Sequence, residues 1–226
     1  MTKIYLIRHC EAMGNLHRVF QGSTDADISE NGKIQLSYLR RRFADIPIDK
    51  VYASPLIRAQ KTAHAIADEK GLPVELVPDL REFDGGIVEN KPFVSGLGGI
   101  PALVDAWNNH PQDFHPEGGE AMRDVYERIW HAVADIVQKN PGKTVAAASH
   151  GVALRCLICR LLKNTIEELK NIPWTENTAV TLVEFDEQLH PTVCFFNDHS
   201  HVPPEYLPKR SRILTLSSEL VKEGKA

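Results

Sequence analysis

Cysteine is scarce in this chain: four residues in 226, at Cys10, Cys156, Cys159 and Cys194. So few thiols in so long a chain argue against a disulfide framework; they are expected to be small buried hydrophobes, a use that suits a reducing compartment. Long apolar runs are missing as well. No stretch of about 18 apolar residues occurs, which argues against a membrane-spanning helix. Met1 leads straight into the strand-like Lys3-Ile4-Tyr5-Leu6-Ile7, without the basic region, apolar region and cleavage site of a leader, so a cytoplasmic location is expected. An excess of positive charge is absent too: 26 Lys and Arg stand against 30 Asp and Glu, for a net charge of −4. No nucleic-acid or membrane partner is expected from that balance, and any anion site must be local.

What the chain does have is enough apolar residue, 42%, to bury a substantial core. Apolar runs of strand length alternate with segments of helical period, the pattern of an α/β fold with a mostly parallel central sheet and helices on both faces. Strands are expected at about 3–7, 50–53, 74–77, 144–148, 179–185 and 192–196. Leu36, Leu39 and Phe43 mark a helix face after the cap-like Ser29. Val125, Ile129, Ala132, Val133 and Ile136 mark a long amphipathic helix, and Leu154, Leu157, Ile158 and Leu161 another. Residues 1–226 are expected to form one domain. Within it, Gly and Pro break up 85–118, which reads as a cap-like insertion with a short helix near 102–108, and 202–226 reads as a C-terminal extension.

Three places share one grammar, in which a buried strand ends, a polar or cationic residue comes at once, and a turn or helix begins. They are Ile7-Arg8-His9, the stretch from Val51 to Arg58, and Thr144 to Gly151 with His150 at its strand end. In the second, Ser54 is expected to cap a helix whose first residue is Pro55, which puts Arg58 in the first turn. Ligands of open α/β sheets sit at such an edge. Gathered there, two histidines, two arginines and exposed helix N–H groups fit a phosphoryl group, since the arginine fork matches phosphate oxygens.

Neutral imidazole is a competent nucleophile near pH 7, which makes His9 the candidate for a covalent step. Arg8, Arg58 and His150 would hold the charge of the transferring group. A carboxylic acid in a covered site beside a phosphate can carry the proton that the leaving oxygen needs. Glu82 is preferred for that role over Asp84, although residue physics ranks the two only weakly.

Arg8-His9-Cys10-Glu11 with Asn15, Gln21-Gly22, Ser54-Pro55-Leu56-Ile57-Arg58-Ala59 with Thr62-Ala63, Leu80-Arg81-Glu82 with Gly85, Gly118-Gly119-Glu120 and Ser149-His150-Gly151 together resemble the histidine phosphatase superfamily, in its phosphoglycerate mutase-like branch. The resemblance runs in order from about residue 3 to 201. It implies a three-layer sandwich, a phosphohistidine on His9, the roles just given for Arg8, Arg58, His150 and Glu82, and phosphate or substrate contacts from Asn15 and Gln21. Gly22 and Gly151 belong to the same expected site. It implies neither a metal nor an organic cofactor, and a small phosphorylated metabolite as substrate.

The chain departs from the family pattern at two points. Cys10 stands where the family has Gly, and glycine reaches backbone angles that a side chain resists. Gly85-Gly86-Ile87-Val88-Glu89-Asn90 stands where the family often has Gly-x-Trp-Glu-Gly, so an atypical lid is expected. A thiolate phosphatase on Cys10 would need an arginine six residues on, where Leu16 sits; Arg18 comes too late. Cys156-Leu157-Ile158-Cys159 has redox or zinc spacing but lies within an apolar helical segment, which points to core packing. His199 and His201 lack a third ligand and are expected to be structural or peripheral to the pocket. Trp107 and Phe114 are expected in the cap's own small core, and whether His110 and His115 contact a substrate's organic part is left open by the sequence. The expected activity is phosphomonoester hydrolysis through a phosphohistidine. A phosphoglycerate mutase is the alternative, and a non-catalytic phospho-ligand binder is a third possibility raised by Cys10.

Overall fold

The run Val145-Ala146-Ala147-Ala148 is buried on both sides, which is what a central parallel strand requires. The computed structural model describes residues 1–92, 99–162 and 165–208. Its strands are β1 (Thr2–Arg8), β2 (Lys50–Ala53), β3 (Val74–Leu76), β4 (Thr144–Ser149), β5 (Val180–Phe185) and β6 (Pro191–Asp198), in the sheet order β3-β2-β4-β1-β5-β6. The first four in that order run parallel, and β5 and β6 are antiparallel additions at one side. The expected mostly parallel sheet is therefore present; β2 has the expected bounds, and the other five strands differ from expectation by one or two residues at their ends.

The helices are α1 (Met13–His17), α2 (Glu30–Phe43), α3 (Ile57–Ala67), α4 (Pro101–Asn109), α5 (Met122–Gln138) and α6 (Gly151–Leu162). Side-chain alternation along β1 and β4 divides them into layers. Ile4, Leu6, Val145 and Ala147 pack with α5 and α6, whereas Ile7, Ala146 and Ala148 pack with α2 and α3. Burying each large aliphatic side chain in these layers contributes about 1.5–3 kcal/mol. The expected stripe of α5 is buried as a unit: Val125, Ile129, Val133 and Ile136.

Ser29 caps α2 as expected, its Oγ accepting the Gly32 N–H at 3.0 Å, and Glu30 and Arg40–Arg42 lie at the ends the helix dipole favours. Ser54 does not cap α3. That helix begins at Ile57, preceded by Leu56 without a side-chain cap, and Ser54 accepts only a 3.3 Å bond from Leu56 N–H in the turn before it. Arg58 still falls in the first turn. Cys10, Cys156 and Cys159 are buried, but Cys194 is exposed, because β6 is an edge strand with one side open.

Within the expected insertion, the short helix is α4, and Phe114 is fully buried against Phe83 in the main core. Trp107 packs on Phe20, Phe114 and Trp174, so this segment is sewn into the domain by aromatic contacts, with His110 and His115 exposed. Residues 93–98 of the insertion and 209–226 of the C-terminal extension lie outside the described residues. Among the described residues, no helix is long and apolar enough to cross a membrane.

Candidate active site

Arg8 pairs with Ser149 in the parallel register of β1 and β4, so both strands release the chain at the same edge. His9 and His150 are the next residues on each. The His9 N–H donates to the Ser149 carbonyl at 2.9 Å, and the two imidazole centroids are 5.1 Å apart at an interplanar angle of 54°. The helix after β1 covers one face of the sheet and the helix after β4 covers the other. The histidines therefore meet at a topological switch point, where the parted connections leave a crevice.

The His9 ring is held by its own backbone: Nδ1 lies 2.6 Å from the Cys10 carbonyl. A carbonyl can only accept, so Nδ1 carries the proton and Nε2 keeps its lone pair. Burial, then the charges of Arg58 and Arg8, push the ring well below the ordinary histidine range, against the smaller opposing effect of the Cys10 carbonyl. His9 is thus neutral near pH 7, with one nitrogen presented for attack. His150 is lowered in the same way, by burial and then by Arg58 and His9. Its Nε2 lies 2.7 Å from Ser54 Oγ, and its Nδ1 has no partner among the described residues.

Two guanidinium groups face this pair. Arg8 donates through Nη1 to the Thr175 carbonyl, while its buried Nε is unpartnered among the described residues. Arg58 is fully buried; Nη1 reaches the Thr24 carbonyl at 2.8 Å and Nη2 the Gly22 carbonyl at 2.7 Å, again leaving Nε without a described partner. Burial lowers both below the ordinary arginine range, opposed first in each case by the charge of Glu82. Arginine remains charged through shifts of this kind, so the crevice holds two fixed cations with donor capacity to spare.

Glu82, 7% exposed, lies against the start of α6, where its charge acts on both guanidinium groups. Its Oε1 accepts from Phe83 N–H at 2.9 Å and Ala153 N–H at 3.0 Å, and its Oε2 from Val152 N–H at 3.1 Å. The Val152 and Ala153 N–H groups belong to the first turn of α6, where the helix dipole favours an anion. Asp84 instead accepts from Gly86 N–H in its own turn. Among the other expected site residues, Asn15 Oδ1 accepts the Ala12 N–H at 3.0 Å. Gln21 leaves its buried Oε1 unpartnered among the described residues. Gly22 serves through its backbone, since a Cβ there would lie 2.0 Å from the Phe83 carbonyl oxygen. Gly151 opens α6 beside the Arg8 guanidinium.

Cys10 does not require glycine's freedom, as it is absent from the positive-φ residues. Its N–H donates to Thr62 Oγ1 at 3.0 Å, and burial pushes its thiol up to about 12. A thiol of that acidity is protonated near pH 7, which removes the thiolate nucleophile. Cys156 and Cys159 are likewise core thiols; Cys159 Sγ lies 3.1 Å from the Thr165 carbonyl oxygen. His201 Nδ1 faces the Arg42 guanidinium at 3.1 Å, a cationic neighbour that suits no metal.

Residues 4–198 match the model of the histidine phosphatase superfamily (branch 1). The chain belongs to that superfamily. This superfamily member is 32% identical over 166 residues to a probable phosphoglycerate mutase GpmB of Enterobacter sp. (strain 638), an alignment spanning 72% of this chain and 75% of the relative. It superposes on Bacillus stearothermophilus YhfR with a TM-score of 0.84 at 30% identity, over 89% of this chain and 99% of that one. It also superposes on an H9A mutant of phosphoserine phosphatase from Entamoeba histolytica in complex with phosphoserine, with a TM-score of 0.79 at 27% identity, over 90% and 100% of the two chains.

Four residues that build this candidate site lack an obvious local signal. Thr175 fixes Arg8 through a carbonyl, which any residue type supplies. Asn177 donates to the His9 carbonyl at 3.0 Å from a distant loop. Glu89 accepts from Gly22, Ser23, Thr24 and Gly85 N–H groups and from Thr24 Oγ1, and so shapes the loop that holds Arg58. Arg128 binds the carbonyls of Asp79, Arg81 and Glu82 together with the Glu120 carboxylate, setting the strand exit that carries Glu82. Only the last has a readable trace, an arginine set beside the apolar stripe of a long helix.

Proposed function

We propose that this protein is a phosphomonoester hydrolase that works through a phosphohistidine on His9, with a small phosphorylated metabolite as substrate. The observation that carries this is the 2.6 Å contact between His9 Nδ1 and the Cys10 carbonyl, which leaves Nε2 unprotonated and free beside two arginines. Nε2 attacks phosphorus in line with the leaving oxygen. Arg8, Arg58 and the Nδ1 of His150 take up the charge on the equatorial oxygens, and Asn15 and Gln21 contribute substrate contacts.

Glu82, which takes up a proton when the negative phosphate binds beside it, supplies that proton to the leaving oxygen. A carboxylate offers about four lone-pair sites, and three are taken by N–H groups, two on Oε1 and one on Oε2. The remaining site is on Oε2, and the proton travels through that oxygen. Once the alcohol has left, the same oxygen takes a proton from the water that attacks phosphohistidine, which regenerates the starting state.

The substrate class is supported by the phosphoserine held by the Entamoeba histolytica structure. The identity to probable phosphoglycerate mutases favours a second reading, in which the phosphoryl returns to another hydroxyl of the substrate instead of to water. A turnover panel of phosphate esters, including phosphoserine and 3-phosphoglycerate, run with wild type beside His9→Ala, separates the possibilities. Hydrolysis predicts free phosphate from wild type and none from the variant. Isomer without phosphate release indicates the mutase. Binding of vanadate with no turnover of any ester indicates a phospho-ligand binder.

A further inference from the structure

Gln35 is a glutamine in the apolar stripe of α2, aligned with Gly32, Leu39 and Phe43, and it is 0% exposed. A buried amide must satisfy both its ends, and the identity of the partners is informative. Its Oε1 accepts the Glu11 N–H at 2.8 Å, and its Nε2 donates to the Tyr206 carbonyl at 2.8 Å. The Glu11 N–H belongs to the same peptide unit as the Cys10 carbonyl, because the bond between Cys10 and Glu11 joins them in one plane. That carbonyl is the group that holds His9 Nδ1.

We infer that Gln35 is a positioning residue for the nucleophile: a neutral amide relay runs from the Tyr206 carbonyl through the Gln35 side chain and the 10–11 peptide to the Nδ1–H of His9. The proposal rests on His9 being the nucleophile. Every link donates in the same direction. His9 Nδ1–H donates to the Cys10 oxygen, the Glu11 N–H of that peptide donates to Gln35 Oε1, and the Gln35 amide donates to the Tyr206 oxygen. Amides bonded at both ends polarise one another, so each bond strengthens the next. The result at the ring is a stronger acceptor in the Cys10 carbonyl that Nδ1–H donates to, a locked tautomer and a more electron-rich Nε2. A charged carboxylate in place of the Cys10 carbonyl, directly against Nδ1, would draw a proton to the ring; a neutral peptide carbonyl orients the ring without doing so.

The far end of the relay is fixed as well. The Tyr206 carbonyl accepts a second bond, from Asn31 Nδ2 at 3.0 Å, and the Asn31 amide also reaches the Glu11 carboxylate at 3.2 Å. Glu11 Oε1 in turn accepts from Ser29 Oγ at 2.5 Å, tying this cluster to the cap of α2. The segment around Pro204–Tyr206 thereby becomes part of the nucleophile's support, although it lies outside the region matched by the family model.

The test reads the His9 ring directly, in the resting full-length enzyme, by imidazole 15N NMR, so it is independent of whether the enzyme hydrolyses, isomerises or only binds. Wild type is expected to give two widely split ring signals, with Nδ1 protonated. Gln35→Met keeps the volume but removes both amide bonds; the signals are expected to move together as the tautomers exchange, and kcat to fall roughly 10- to 100-fold with KM little changed. Gln35→Glu retains an acceptor for the Glu11 N–H and is expected to keep the split. A fixed tautomer in both variants overturns the relay, and so does its loss in both. Should Gln35→Met not fold, couplings across the hydrogen bonds from Glu11 15N to the Gln35 side-chain carbonyl and from His9 Nδ1 to the Cys10 carbonyl are measured in wild type. Both are expected, and the absence of either overturns the proposal.

Discussion

Ser54 Oγ and His150 Nε2 lie 2.7 Å apart, joining the exits of β2 and β4 across the crevice. The Leu56 N–H donates to the same hydroxyl oxygen, so the Ser54 proton is free to be given to Nε2. That arrangement leaves the proton of neutral His150 on Nδ1, the nitrogen without a partner among the described residues. Replacing Ser54 by Ala releases the tautomer while leaving all charges in place. Steady-state kinetics are expected to show kcat down roughly 10- to 100-fold. An unchanged kcat would remove Ser54 from the account.

Arg58 does two jobs, as a cation facing the crevice and as a clamp on the carbonyls of Gly22 and Thr24. A lysine carries the charge but has no planar fork to span both carbonyls. Arg58→Lys is therefore expected to behave much like Arg58→Ala, with kcat/KM lower by about a hundred- to a thousandfold in each. Near-complete rescue by lysine would show that charge alone matters.

Glu89 gathers the N–H groups of Gly22, Ser23, Thr24 and Gly85 around one carboxylate. Glu89→Gln turns one acceptor into a donor that faces other donors. Thermal unfolding is expected to report a loss of about 1.5–3 kcal/mol, and KM should rise because the Arg58 carbonyl cradle loosens. A stable variant with unchanged KM would show that the loop holds without it.

Cys10→Ala tests the departure from the family glycine. The thiol is buried, packed near Gly32, and protonated near neutrality. Turnover is expected to stay within a few-fold of wild type, a range of less than about 1 kcal/mol in barrier. A loss matching that of His9→Ala would restore the thiol as a chemical participant.

Burial holds both His9 and His150 neutral in the folded state, with their proton affinities depressed. In the unfolded chain they titrate near the ordinary histidine value of about 6.5. Below that pH the unfolded state binds more protons, so stability falls as pH drops through about 6.5 toward the depressed folded values and is fully present above it. Each histidine contributes a slope of at most about 1.4 kcal/mol per pH unit. Chemical denaturation at a series of pH values should show this decline, reduced in His150→Gln. The same slope in the variant would assign the decline to other groups.

The strand ends are legible in the sequence because burial on both faces leaves a simple sign, an apolar run broken by Arg8-His9 or by Ser149-His150. Their neighbourhood is legible for a topological reason, since parallel strands deliver the residues at their C-terminal ends to a single edge. The start of α3 is harder to read: a Ser-Pro pair is a good cap by local chemistry, but tertiary structure assigns the Ser54 hydroxyl to His150 instead. Cys194 departs from expectation because composition does not tell an edge strand from a central one. Glu89 and Asn177 leave no sign because they act on backbone groups far away in the chain, and Thr175 leaves none because it holds Arg8 through its backbone carbonyl, which any residue type supplies. Gln35 has a sign that goes unnoticed when stripes are read for apolar residues alone: a polar side chain at a buried position, needing partners at both ends.

The most direct test of the account is to trap the enzyme during turnover of a phosphate ester and locate the phosphoryl group by peptide mapping and NMR. It is expected on Nε2 of His9, stable in base and labile in acid. A phosphoryl group on Cys10 or His150, or steady turnover with His9 never modified, would contradict it.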